Sequence, residues 1–137
     1  HFKQSVQLLS APEDYISLIK DNVAGVIIGD RALEQLPHFP YIYDLATAWK
    51  NFTGLPFVFA AWIANKPLPE SFIKAFDEAN SQYEAYIDQM VAATPYPHYD
   101  LNVYYRENIH YYLDENKKKG LALFLQYLNE MEKEIVG

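Results

Sequence analysis

The sequence predicts an α/β fold in which parallel strands precede a set of C-terminal helices. Residues 5–9 and 23–28 are apolar runs of strand length, and a helical pattern separates them. A strand, a helix and a strand in this order form the unit of a parallel sheet with a right-handed crossover. Residues 57–64 form a third apolar run, too continuous for a half-exposed strand, and we expect this strand to cross the core.

Helix signals in the first half of the chain agree with this order. Ser10 is a favoured N-cap, with Glu13 as its capping-box partner and Pro12 in the first turn. A short helix over residues 31–36 is expected to stop before Pro37.

The next helix is predicted over residues 45–52. Asp44 is its N-cap, and Gly54 stands where helices commonly end in the left-handed conformation.

Near residue 66 the pattern changes from alternating strands and helices to helices only. Apolar residues at three-to-four spacing predict one long amphipathic helix. They are Phe72, Phe76, Tyr83, Ile87 and Met90. Asp100 is predicted to cap a further helix, and Gly120 to separate that helix from the last one.

Composition excludes several classes of protein. The chain has 137 residues, enough for one domain with a core. The net charge of −7 and the lack of a basic stripe argue against nucleic-acid binding, and the lysines at 117–119 are interpreted as a solvated helix end. The absence of cysteine excludes disulfides and thiolate chemistry and suits a reducing compartment.

Two features bear on targeting and on the start of the chain. No apolar run approaches the roughly 20 residues that span a bilayer, and no signal-peptide pattern is present. The first residue is His1 rather than Met, so we expect the natural chain to begin upstream.

No metal or nucleotide cofactor is predicted. The histidines have no second ligand at a metal-binding spacing, and His38 and His98 are interpreted as structural residues of loops. The pair of Gly25 and Gly29 does not match a dinucleotide-binding pattern, and no serine lies in a nucleophile elbow.

Asp30 is the polar residue whose position is most typical of a site. It follows a predicted buried strand at the edge where open α/β sheets bind ligands, but it is equally suited to capping the short helix. Arg31 is a candidate partner for an anionic ligand, and solvent exposure is the alternative. Asp44 is interpreted first as a cap, and Trp49 and Trp62 as core residues.

Three segments in this order and spacing resemble the chorismate dehydratases of the futalosine route to menaquinone. They are Gly-Asp-Arg-Ala-Leu at 29–33, Asp-Leu-Ala-Thr-Ala-Trp at 44–49 and Thr-Gly-Leu-Pro-Phe-Val-Phe-Ala-Ala-Trp at 53–62. The resemblance covers essentially the whole chain, including residues 104–111 and 120–124. Ala46 departs from the glycine expected after Asp-Leu.

The resemblance implies a type 2 periplasmic-binding-protein-like fold of two α/β lobes, acting in the cytoplasm without a cofactor. Residues 1–55 would belong to the second lobe, and residues 56–137 would hold the crossover strand and the helices that return to the first. The N-terminal lobe, absent from this sequence, would be the partner of this chain.

The implied reaction is the loss of water from chorismate to give 3-[(1-carboxyvinyl)oxy]benzoate. Asp30 is then the predicted catalytic residue, placed at the ring hydroxyl because a carboxylate would repel the substrate's own carboxylates. The other predicted substrate contacts are Gly29, Arg31, Thr53, Gly54 and Leu55, with the Thr53 hydroxyl or nearby backbone N–H groups facing the carboxylates. The alternatives are a non-catalytic protein of the same fold that binds a small anion, and the dihydroxynaphthoate synthase of the same pathway.

Overall fold

The computed structural model describes residues 6–136, which form helices joined by segments without regular secondary structure. The α-helices are Asp30–Gln35 (α1), Leu45–Thr53 (α2), Glu70–Ser81 (α3), Ile87–Ala93 (α4), Leu101–Val103 (α5) and Glu115–Val136 (α6). Tyr15–Leu18 and Gln82–Tyr86 are 3₁₀-helices, and Tyr104–Asn108 is a π-helix. The chain divides into two compact units, His1–His38 and Phe39–Gly137.

The predicted α/β fold, a two-lobe periplasmic-binding-protein-like architecture with parallel strands, is wrong for residues 6–136, which contain no strand. Ser5, at the start of the first predicted strand, lies outside the described residues. In the other two runs most of the large apolar side chains are exposed, Ile28 at 78% and Trp62 at 82%, whereas Phe57 at the start of the third run is partly buried. Apolar composition shows what a segment can bury, whereas a strand also needs a neighbouring strand to pair its backbone N–H and C=O groups.

The first predicted helix is reduced to a single turn. The 3₁₀-helix Tyr15–Leu18 follows Asp14, and no side chain caps it, so the predicted capping box of Ser10 and Glu13 does not form. The Tyr15 hydroxyl instead donates a 2.9 Å hydrogen bond to the Val26 carbonyl and joins this turn to the residues before α1.

The predictions for α2 are confirmed at both ends. The Asp44 carboxylate accepts a 2.6 Å hydrogen bond from the Thr47 backbone N–H and caps the helix. Gly54 ends it in the left-handed conformation, with φ 73° and ψ 0°. Local sequence determines both features because a cap acts within one turn of the backbone.

The single long helix predicted from the spacing of Phe72 to Met90 is interrupted. α3 ends at Ser81, and the 3₁₀-helix Gln82–Tyr86 separates it from α4. Near the break, the Asn80 amide donates to the Phe76 carbonyl and the Ser81 hydroxyl to that of Glu78. Such side-chain bonds compete with the regular backbone pattern, which accounts for a change of helix type at this position.

Gly120 does not separate two helices, which corrects the boundary predicted there. It lies inside α6, which begins at Glu115. The Asp114 carboxylate accepts from the Lys117 backbone N–H at 2.8 Å, as an N-cap does. The three lysines at 117–119 therefore lie near the start of α6, where Lys117 pairs with Asp114 and Lys118 with Glu115.

Candidate functional site

The predicted site residues form two groups, one in each compact unit. The first comprises Gly29, Asp30 and Arg31 at the start of α1. Gly29 has φ 67° and ψ −150°, a conformation that is open essentially only to glycine. Its carbonyl accepts from the Ala32 N–H at 2.9 Å, so Gly29 is the N-cap and Asp30 the first helical residue. Asp30 thus lies where a negative charge is favourable to the helix.

The second group lies in the turn formed by Thr53, Gly54, Leu55 and Pro56, called here the 53–56 turn. The Thr53 hydroxyl donates to the Trp49 carbonyl at 2.8 Å and accepts from the Leu55 N–H at 3.1 Å. The Gly54 N–H donates to the Lys50 carbonyl at 2.8 Å. The hydrogen-bond donors of these three residues are therefore used to hold the turn in place.

Edge-to-face aromatic contacts surround Trp49 on the side of α2 next to this turn. Its ring lies 5.9 Å from Phe57, 5.7 Å from Phe124 and 6.1 Å from Tyr127, measured between centroids. Phe57 and Phe124 are themselves 5.0 Å apart. These contacts join α2 and the residues after the turn to α6, each ring pair contributing about 0.5–1.5 kcal/mol beyond its buried area. The Trp49 indole N–H is buried and has no acceptor.

Gly120 of α6 lies directly against the 53–56 turn. A Cβ atom at this position would lie 2.3 Å from the Pro56 carbonyl oxygen and 3.6 Å from the Leu55 Cβ. Contacts of 2.3 Å do not occur between such atoms, so α6 can approach the turn this closely only with glycine at position 120.

A second group of aromatic side chains lies between the 3₁₀-helix Gln82–Tyr86 and the segment that follows the π-helix. The Tyr83 and Tyr111 rings are 4.4 Å apart. Burial raises the pKa of Tyr83, with a further contribution from the Glu84 carboxylate. Burial also raises the pKa of Tyr111, with smaller contributions from Tyr105, Tyr104 and Tyr83. These shifts favour the neutral phenols.

The histidine and carboxylate side chains of residues 6–131 are dispersed. Among them, no three or more are grouped as metal ligands would be. The His98 ring packs edge-on against Tyr96 at 5.3 Å. His1 lies outside the described residues.

The structure brings together the three residues of each predicted group, and it adds Trp49 and Gly120 to the second. The sequence pattern indicated that Trp49 is a core residue, and the ring contacts of Trp49 agree with this. The same pattern wrongly placed Gly120 at a boundary between two helices. The signal for the correct assignment was present: helix-forming residues continue on both sides of Gly120 without a capping residue.

Comparison with known proteins shows where the chain belongs. The profile of the family described as menaquinone biosynthesis matches residues 1–130. A chorismate dehydratase of Campylobacter jejuni is 35% identical over 109 residues, which cover 77% of this chain and 46% of the relative. A chorismate dehydratase of Thermus thermophilus is 29% identical over 125 residues, covering 75% of this chain and 46% of the relative.

The matches with chorismate dehydratases confirm the resemblance that the motifs indicated. This chain spans about half the length of these curated relatives. No solved structure shows a significant match to it. Because the family profile covers nearly the whole sequence, the chain belongs to the menaquinone biosynthesis family.

Proposed function

We propose that this chain is part of a lyase that removes water from chorismate to give 3-[(1-carboxyvinyl)oxy]benzoate. The observation that carries the proposal is the similarity to two curated chorismate dehydratases within a match to the menaquinone family over residues 1–130. The substrate is a small anionic molecule, and the reaction needs no redox step because only a proton and a hydroxide leave the ring.

The chemistry of this dehydration makes modest demands on side chains. One ring C–H bond and one C–O bond break, a ring C=C bond forms, and the proton and hydroxide leave as water. Aromatisation of the ring provides the driving force. The protein's task is therefore to orient the substrate and to stabilise charge as the hydroxide leaves.

Asp30 is the proposed catalytic residue, placed next to the ring hydroxyl. The position of Asp30 at the start of α1 supports this role, because the conformation of Gly29 fixes where the helix begins. Gly29 and Arg31 are proposed substrate contacts beside it. Arg31 is exposed and permanently charged, which suits a contact with a substrate carboxylate.

The 53–56 turn is the proposed wall of the substrate site. Thr53, Gly54 and Leu55 use their donors within the turn, so contact through shape and backbone approach is favoured over hydrogen bonds from these residues to carboxylates. Gly54 is exposed, and apart from its two chain neighbours no residue has an atom within 4 Å of the position a Cβ would take, so a ligand can come close to its backbone.

We propose that the partner of this chain is a polypeptide equivalent to the N-terminal half of the relatives. Two observations support it: the chain covers 46% of each relative, and Phe59, Trp62 and Ile63 are highly exposed. We also propose a cytoplasmic location, as the resemblance to chorismate dehydratases implies. Among the helices of residues 6–136, none has the length and apolar character of a membrane span.

The proposal is tested with the protein at its full natural length. Purified protein is incubated with chorismate, and the enolpyruvyl benzoate product is measured by chromatography and mass spectrometry. Binding of chorismate without turnover would identify a small-anion-binding protein instead. Conversion of cyclic de-hypoxanthinyl futalosine, with chorismate unchanged, would identify a dihydroxynaphthoate synthase.

Asp30→Asn tests the assignment of the catalytic residue in the same assay. We expect turnover to fall by a factor on the order of 10² or more, with little change in the unfolding temperature. Asp14→Asn is the matched control, because Asp14 is an exposed aspartate in the same unit whose side chain caps no helix. Equal turnover in wild type and Asp30→Asn would remove Asp30 from the site.

A further inference from the structure

We propose that Gly120 is a positioning residue that holds the 53–56 turn in the geometry required for substrate binding. This inference rests on the proposed function, in which that turn is a wall of the chorismate site. Gly120 contacts no substrate itself. It acts through Pro56, whose carbonyl oxygen occupies the space where a side chain at position 120 would begin.

The location of Gly120 shows that it is needed for space rather than for backbone freedom. It is buried within the 22-residue helix α6, where glycine is disfavoured. Its φ is not positive, unlike those of Gly29 and Gly54, so any residue could adopt its backbone conformation. The close approach of the Pro56 carbonyl is the feature that excludes a side chain.

The turn cannot yield to a side chain at position 120 without moving as a whole. Its first residues are tied to α2 by the bonds from the Gly54 N–H and the Thr53 hydroxyl. At its other end, the ring of Pro56 restricts φ. The atom in contact is a backbone oxygen, so no side-chain rotation can relieve the clash. One methyl group at position 120 would therefore push the turn and α6 apart.

Gly120→Ala is the decisive variant, made in the protein at its full natural length. We expect the KM for chorismate to rise about tenfold or more, because small displacements of a binding wall strongly reduce productive binding, with kcat within about twofold of wild type. Ala122→Gly is the matched control, since it makes the reverse change at an exposed position of the same helix. It should lower the unfolding temperature and leave KM unchanged.

The position of the turn can also be monitored by ¹⁹F NMR of Trp49, which does not depend on enzyme activity. Trp49 contacts both Phe57, which follows the turn, and Phe124, one helical turn after Gly120. With 5-fluorotryptophan incorporated, the ¹⁹F resonance of Trp49, assigned by its loss in Trp49→Phe, should shift in Gly120→Ala and not in Ala122→Gly.

Three results separate this inference from the proposed function. A wild-type protein that leaves chorismate unchanged overturns the proposed function, and the substrate-positioning role with it. An active wild type whose Gly120→Ala variant keeps the same KM overturns the inference alone. The inference alone is also overturned if Gly120→Ala raises the unfolding temperature and leaves the Trp49 resonance unshifted, because alanine has this effect at an ordinary helical position.

If Gly120→Ala does not fold, the double variant Gly120→Ala/Pro56→Gly decides the question. Glycine at position 56 frees the backbone, so the carbonyl can turn away from the added methyl group. Recovery of the helical circular dichroism with a raised KM would support the inference. Failure to recover the folded signal would overturn it.

Discussion

The Arg106 guanidinium lies 2.6 Å from the Asp88 carboxylate and joins the π-helix Tyr104–Asn108 to α4. The pair is well exposed, with side-chain exposures of 45% for Arg106 and 86% for Asp88. Exposed ion pairs of this kind contribute about 0.2–1 kcal/mol, and salt screens them.

We therefore expect Asp88→Asn to lower the free energy of unfolding by no more than about 1 kcal/mol, with the difference shrinking in high salt. Denaturant titration at low and high ionic strength measures it. Glu78→Gln, which breaks the looser 3.9 Å pair with Lys74, is the control and should have a smaller effect. A loss that does not depend on salt would show that Asp88 stabilises the fold by some means other than charge.

Removing the cap of α2 should destabilise the protein in proportion to the capping ability of the new residue. Asp44→Ala leaves the Thr47 N–H without its 2.6 Å acceptor and should lower the free energy of unfolding by about 1 kcal/mol. Asp44→Asn keeps an oxygen acceptor and should lower it much less. Equal losses in the two variants, measured by urea denaturation, would contradict a capping role.

Substitution of Gly54 should affect stability through backbone conformation alone. Its φ is 73°, and apart from its two chain neighbours no residue has an atom within 4 Å of the position of an added Cβ. We expect Gly54→Ala to cost about 1–2 kcal/mol and Gly54→Asn less, because asparagine tolerates the left-handed region better. Thermal unfolding tests this expectation: the unfolding temperature should be highest for glycine, lower for asparagine and lowest for alanine at position 54. An alanine variant as stable as wild type would contradict it.

Asp114 should make the start of α6 sensitive to acid. Its hydrogen bond from the Lys117 backbone N–H, followed by the interaction with the Lys117 side chain, lowers the pKa of this carboxyl. A lowered folded pKa gives stability that is present above the unfolded pKa and is lost as the pH falls through the folded one. The unfolded reference is near 3.8, so the loss should occur below about pH 4.

Thermal unfolding measured from neutral pH to about pH 3 checks this expectation, with Asp114→Asn as the comparison. The difference in unfolding temperature between wild type and variant should narrow as the pH falls. A constant difference across this range would rule out the Asp114 charge as its source.

Tyr83 and Tyr111 should make the protein sensitive to alkali. Burial raises the pKa of both phenols above the ordinary 10.0. A raised pKa gives stability that is fully present below the unfolded value and is lost as the pH rises through the folded one, here above about pH 10. Absorbance titration of the phenolates should show late ionisation that Tyr111→Phe removes in part, and Tyr41→Phe is the matched control at a 93% exposed tyrosine.

Local features were predictable because short-range chemistry decides them. The Asp44 cap and the left-handed Gly54 both depend on atoms within one helical turn, and both are confirmed. Features that depend on more distant atoms were not. Residues 23–28 and 57–64 have the composition of strands, yet a strand needs a partner strand, and neither segment forms a strand in the part of the chain that the structure describes.

For the candidate site too, the sequence predicted the local features and the structure added those that depend on distant atoms. Sequence motifs identified Gly29, Asp30 and Arg31, together with Thr53, Gly54 and Leu55, and the roles of these residues stay predictions. The motifs did not show that the hydrogen-bond donors of the 53–56 turn bond to acceptors within the turn and α2. Because these donors are occupied, the proposed role of the turn changed from hydrogen bonding to shape. That difference depends on the path of the backbone after Gly54.

The sequence by itself determined the family of this protein and the caps and ends of its helix α2, because motifs and caps are short-range features of the chain. Only the tertiary structure decided that Gly120 is an interior residue of α6 placed against Pro56. A glycine that is required because another segment packs closely against it has the same local sequence pattern as a glycine that ends a helix. The two differ only in what lies opposite the glycine, and in this protein it is the carbonyl oxygen of Pro56, far earlier in the chain.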